Sequence, residues 1–133
     1  MAKGREEYEA RTAARNAFGK ELARRAKSKC ELCERGGEKL SVYEVPPVPR
    51  DPDFDRCLLL CSDCIEQTEN PRRFEPGEHW RFLANQAWSD LPMAQVLSVR
   101  LLRRQAAGQD WAREALEGLY LDEETEALVA EAD

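Results

Sequence analysis

Two short stretches, Cys30-Glu31-Leu32-Cys33 and Cys61-Ser62-Asp63-Cys64, share a C-x2-C spacing, and the segment Glu34 to Leu60 puts 27 residues between them. A gap of two residues lets both sulfurs of a pair turn back on one point. Two such knuckles supply the four soft ligands that tetrahedral Zn2+ accepts in a structural site. The interval is longer than in a compact four-cysteine ribbon. Pro46, Pro47, Pro49 and Pro52, set among Asp51, Asp53 and Asp55, mark an extended loop that absorbs the excess. Cys30, Cys33, Cys61 and Cys64 are therefore expected to hold one zinc ion. With every position taken by sulfur, such a site has no place for a reacting water and serves the fold. It would contribute on the order of 10 kcal/mol to a small β element with few large apolar residues.

Between the pairs, Gly36-Gly37 signals a turn, Leu40-Ser41-Val42-Tyr43-Glu44-Val45 a strand, and Cys57-Leu58-Leu59-Leu60-Cys61 a second strand after the proline loop. Cys57, the odd fifth cysteine, shares a strand face with Leu59 and Cys61 and reads as a small buried hydrophobe. His79, the sole histidine, reads as a helix cap or a neighbour of Trp80 rather than a metal ligand.

Before the first pair, residues 5–27 hold no proline and only Gly19, and their Ala, Glu, Arg and Lys content predicts one long helix with a narrow stripe of Tyr8, Phe18 and Leu22. After the second pair, a helix is expected from about Cys64 to before Pro71. A polar turn at Pro76-Gly77 follows, and then the run His79-Trp80-Arg81-Phe82-Leu83. Trp80 and Trp88 would share a face if the intervening segment were one helix. Ser89 or Asp90 can cap a helix with Pro92 in its first turn and a wide apolar face of Met93, Val96, Leu97, Val99, Leu101 and Leu102, ended by Gly108. Asp110 can cap a helix from Trp111 to about Tyr120, and Asp122 a last short one. The aromatic residues Trp80, Phe82, Trp88 and Trp111 are expected in the core.

The chain has 133 residues, 42% hydrophobic and 35% charged, which suits one soluble domain and excludes a full Rossmann or barrel catalytic unit. Its longest apolar run is the five residues of Cys57–Cys61, far short of a membrane span, and the opening residues read as no signal peptide. A cytoplasmic location follows as the expectation, and in a reducing compartment clustered cysteines bind metal rather than pair. Net charge is −6 but unevenly spread: residues 11–29 carry seven basic side chains against Glu21 alone, whereas residues 110–133 carry nine acidic ones against Arg113. Arg11, Arg15, Arg24, Arg25, Lys27 and Lys29 could meet phosphates or an acidic partner. Sparse aromatic interleaving and the negative total weigh against nucleic acid.

Lys29-Cys30-Glu31-Leu32-Cys33, Leu40–Pro47, Cys61-Ser62-Asp63-Cys64, His79-Trp80-Arg81, Ala87-Trp88-Ser89 and Tyr120–Thr125 together resemble the N-terminal zinc-containing region of PhnA-like proteins, over roughly residues 20–126. The family takes its name from an alkylphosphonate utilisation operon. The resemblance implies a zinc-ribbon or treble-clef element and no hydrolase activity. It also implies a further C-terminal β-domain that this sequence does not include. The order of knuckle, hairpin, proline loop and C-x2-C opening a helix is also similar to the treble-clef core of HNH endonucleases. Here Tyr43 and Glu44 occupy the hairpin positions, and Ile65 follows Cys64 where that core has a histidine. No histidine lies between Cys30 and Ile65, so the usual general base is missing.

The sequence thus predicts an α+β fold: a small treble-clef or zinc-ribbon-like β element, residues 30–66, between a basic N-terminal helix, residues 1–29, and a packed helical region, residues 67–133. The expected function is that of a zinc-binding, non-catalytic accessory or interaction protein with a macromolecular partner and no membrane. The wide face from Met93 to Leu102 would permit a homodimer. Two alternatives stand beside it. One is a degenerate HNH-like metal-dependent phosphodiesterase with Glu44 as base or second-metal ligand. The other is a thiol sensor that releases zinc, with Cys57 as the extra thiol.

Overall fold

The computed structural model describes residues 2–131. Its contacts divide the chain into two compact units, Met1–Ser62 and Asp63–Asp133.

In the first unit the single long helix expected over 5–27 is two helices, α1 (Ala2–Asn16) and α2 (Gly19–Ala26). The break has a packing cause. The stripe of α1 is too poor to dock it, and Tyr8 is exposed; α2 instead buries Leu22 completely against Cys57 and Leu59, with Phe18, Ala23, Ala26, Leu40, Val42 and Phe54 around them. The turn at 17–18 redirects the chain so that Phe18 meets the ring of Phe54 edge-on at 5.5 Å. Gly19 lies at the joint, where a Cβ would stand 3.9 Å from Val42 Cγ2.

Arg11 links α1 to the hairpin and the proline loop. Both Nη atoms of Arg11 donate to the Glu44 carboxylate at 2.7 and 2.6 Å, and the fork also reaches the carbonyls of Pro49 and Arg50 at 2.8 and 3.1 Å. At its other end, α2 stops in left-handed backbone at Lys27 and Ser28, φ 55° and 60°, with the Ser28 N–H closing on the Ala23 carbonyl at 3.1 Å.

The expected turn, strand, loop, strand order is present. Strands β1 (Leu40–Glu44) and β2 (Cys57–Cys61) pair antiparallel, from Leu40 opposite Cys61 to Glu44 opposite Cys57. Every residue of β2 is buried. The proline loop between them contains a 3-10 turn, Phe54–Arg56, capped by the Asp53 carboxylate, which accepts from the Asp55 N–H at 2.9 Å. Arg56 donates to the Val45 and Pro47 carbonyls at 3.2 and 3.1 Å, satisfying backbone that no ladder reaches.

In the second unit α3 (Ser62–Glu69) runs straight on from β2, and 3-10 turns at Pro71–Arg73 and Glu78–Trp80 lead to the short α4 (Leu83–Gln86). Its centre is α5 (Pro92–Gln105), contacted by α4, α6 (Asp110–Glu117) and α7 (Glu123–Ala130). The apolar face from Met93 to Leu102 is buried.

Three arginines of α5 brace its surroundings. Arg100 donates to the carbonyls of Leu128 and Val129 at 2.5 and 3.2 Å, closing the end of α7, and Arg103 pairs with Glu126. Arg104 reaches the carbonyls of Gln67 and Thr68 at 3.0 and 3.1 Å and lies over the Phe74 ring.

Helix α6 begins at Asp110 and ends at Glu117, shorter than expected because Gly118 stops it, and Gln109 rather than Asp110 is the cap residue. Asp122 does cap α7, its carboxylate accepting from the Thr125 N–H at 2.7 Å. Trp80 and Trp88 share no helix. Trp80 is buried, stacked on Phe74 at 5.3 Å, with its indole N–H donating to the Glu75 carbonyl at 2.9 Å. Trp88 lies in the turn after α4 and is 58% exposed, contrary to the core position expected for it.

Candidate metal centre

The first knuckle is shaped by its backbone. A bridge joins Lys29 to Gly36, the Cys30 N–H donates to the Arg35 carbonyl at 3.0 Å, and the Glu34 N–H returns to the Cys30 carbonyl at 2.9 Å. The chain completes this loop through left-handed Glu34, φ 64°, and Gly37, φ 75°, the latter a conformation that explains glycine at the second place of the Gly-Gly turn. In the second pair, Cys61 is the last residue of β2 and Cys64 lies three residues on, in the first turn of α3. A strand that passes directly into a helix folds the chain so that both thiols face back.

The sulfurs of Cys30, Cys33, Cys61 and Cys64 all lie within 4.8 Å of one another. Cys33 and Cys61 sulfurs are 3.8 Å apart. A tetrahedron with metal–sulfur bonds of about 2.3 Å has edges of about 3.8 Å, so the donor set and its spacing fit zinc. All five cysteines are free thiols, and a disulfide would need about 2.05 Å. Cys30, Cys61 and Cys64 are buried and Cys33 is partly so, which leaves the cluster closed to solvent on most sides.

Glu31, inside the first pair, fixes that pair on the strand. Its N–H donates to the Leu59 carbonyl at 2.8 Å, and its carboxylate accepts from the Leu59 N–H at 2.8 Å. The same carboxylate takes the Arg25 fork through two bonds of 2.8 Å, while Arg25 also donates to the Cys57 carbonyl at 3.1 Å and lies over the Phe54 ring. The side chain of Glu31 is only 5% exposed. This buckle links α2, the knuckle and β2 two residues before Cys61. It was not visible in the sequence, where an acid between two cysteines looks like an ordinary solvated charge.

The remaining expected residues fall as follows. His79 is exposed and outside the cluster. Cys57 is buried, its thiol 3.3 Å from the Asp53 carbonyl, and it too stands outside the cluster. Burial, with Glu44 and Asp53 nearby, pushes its pKa up to about 11, so it stays a neutral thiol and is a poor sensor. Glu44, the residue a nuclease reading needs, is 7% exposed at its side chain, and each of its carboxylate oxygens accepts from Arg11. Of the basic residues, Arg11 and Arg25 are committed to Glu44 and Glu31, Arg15 is partly buried, and Arg24, Lys27 and Lys29 are exposed. No helix is long and apolar enough to cross a membrane among the described residues.

Compared with family models, curated proteins and solved structures, the chain has no match in any of the three.

Proposed function

We propose that this chain is a zinc-stabilised, non-catalytic interaction module, with one zinc ion held by Cys30, Cys33, Cys61 and Cys64 and a macromolecule as its partner. The observation that carries this is the closed set of four thiols at tetrahedral spacing. Four sulfur ligands exclude a metal-bound water, so the ion would act as a staple. The order of knuckle, hairpin and helix opened by the second pair supports a treble-clef arrangement, and the sequence motifs support a PhnA-like kinship. Exposed Arg24, Lys27 and Lys29, on and after α2, are the surface the module would offer to an anionic partner.

Elemental analysis of protein purified without added metal, with a parallel thiol count, tests the reading. One zinc per chain, released only with the loss of four thiols to a thiol reagent, is the expected result. Metal-free protein with oxidised cysteines would overturn it.

A further inference from the structure

The outer side of α2 keeps cations that no described residue takes up. Arg11 and Arg25 are committed to Glu44 and Glu31. Lys20 and Arg24, one turn apart, stand on the side of α2 opposite buried Leu22, and Lys27 and Lys29 follow its end. All four are exposed, and none forms an ion pair among the described residues. Glu21 is the one acid among residues 11–29.

The last two helices show the reverse. Arg103 and Arg113 are held by Glu126 and Asp110, and the Asp122 carboxylate caps α7. Glu114 and Glu117 in the last turn of α6, Glu123 and Glu124 in the first turn of α7, and Glu131 after it are exposed and form no ion pair among the described residues. Between the two helices Tyr120 is 78% exposed, an aromatic ring set among carboxylates.

We propose that the basic face of α2 docks on the acidic end, α6 to α7, of a second copy of this chain. The inference rests on the reading of the chain as an interaction module and names the macromolecule. An isolated exposed ion pair contributes little, so the contact depends on four cations meeting five carboxylates together. Tyr120 adds a ring face on which the Arg24 guanidinium can lie, and Tyr and Arg are the residues that most often anchor an interface. Nucleic acid fits the basic face less well. Residues 19–29 hold no aromatic side chain on which a base could stack, and the ring of Tyr120 lies where carboxylates repel phosphate. The two surfaces differ, so the contact either closes reciprocally in a pair or continues from chain to chain.

Sedimentation equilibrium of the full, zinc-loaded chain tests this. In about 0.15 M salt the weight-average mass is expected to rise to about twice that of one chain or beyond as protein concentration approaches about 1 mM, and to return to one chain in about 1 M salt. Lys20→Glu with Arg24→Glu, and separately Glu117→Lys with Glu124→Lys, should each weaken association about tenfold or more while far-UV circular dichroism is unchanged. Mixed in equal amounts, the two variants should associate again, because each supplies the face that the other has lost. Tyr120→Ser should weaken association without changing any charge. A single-chain mass for the parent at one zinc per chain would overturn the interface and leave the module reading standing. Undiminished association in either charge variant, a mixture that stays as single chains, or binding of a labelled DNA duplex by a parent that does not self-associate would each overturn the proposal as well.

Discussion

At the scale of single residues, Glu31 shows how an ion pair can do the work of a strand. Its carboxylate takes the Leu59 N–H while its own N–H gives to the Leu59 carbonyl, so the knuckle is laced to β2 through one residue. Removing it leaves the Leu59 N–H and the Arg25 fork unsatisfied in a largely buried place. Glu31→Ala is expected to destabilise the zinc-loaded protein by about 2 kcal/mol, with the exposed part of Arg25 limiting the loss. Zinc transfer to a chromogenic chelator should be faster, although all four ligands remain. Unchanged transfer kinetics would mean that the cysteines position themselves.

Cys57 gives a second residue-scale expectation. Its raised pKa means the buried neutral thiol contributes stability that is fully present below about pH 9 and is lost as pH rises towards about 11. Cys57→Ala removes that titration. The parent should therefore lose about 2 kcal/mol relative to the variant across that window, measured by denaturant unfolding at each pH. In the folded, zinc-loaded protein at neutral pH no thiol should react quickly with a thiol reagent. The four clustered cysteines were legible because two C-x2-C pairs have the spacing that lets four sulfurs converge on one point. Glu31 was not, since its partner Arg25 and its strand neighbour Leu59 are brought to it only by the fold.

At the scale of elements, the hairpin and the Asp122 cap of α7 were legible; the expected caps of α5 and α6 fall instead on Leu91 and Gln109, and the α1–α2 break was not foreseen. Propensity sums favour continuous helix across 5–27, but propensity is a weak preference that packing overrides. Phe18 and Leu22 must face the hairpin, while Arg11 must face Glu44, and the turn at 17–18 lets both happen. The described apolar side chains of α1, Tyr8, Ala10, Ala13 and Ala14, are exposed, so the Arg11 fork is a main part of its docking. Arg11→Lys is expected to release it, since a single ammonium cannot hold the carboxylate and the two loop carbonyls together. Hydrogen exchange of the α1 amides should quicken markedly, while the amides of α2, β1 and β2 keep their protection. At the other end of the chain, the Thr125 N–H holds the Asp122 carboxyl below the usual carboxylate range. The stability it lends α7 is present at neutral pH and disappears as pH falls through that lowered value. Fraying of α7 should thus follow acidification in the parent and be present at all pH values in Asp122→Ala.

At the scale of the whole molecule, the α+β class and the gathering of the two C-x2-C pairs were readable, while the division at Ser62–Asp63 was not, because nothing in composition marks it. The helix α3 continues β2 without a linker, and linkers are what a sequence shows. The two units also differ in what supports them. In Met1–Ser62 the core is a two-stranded sheet and one helix face, and the unit holds the first three clustered cysteines in chain order, buried Cys30 and Cys61 and partly buried Cys33. A two-stranded sheet is marginal alone, so this unit should depend on the ion. Asp63–Asp133 has α5 buried along its length and contributes only Cys64. All three tryptophans lie in that second unit, which makes their emission a selective report on it. Chelation is therefore expected to lower the far-UV helical and β signal and to expose the amides of α2, β1 and β2, while Trp80 emission stays near native. Recovery on adding zinc alone would tie the change to the metal. If Trp80 emission instead shifts in step with the far-UV loss, the Cys64 ligand carries the core around α5 with it, and the ion staples the entire chain rather than one unit.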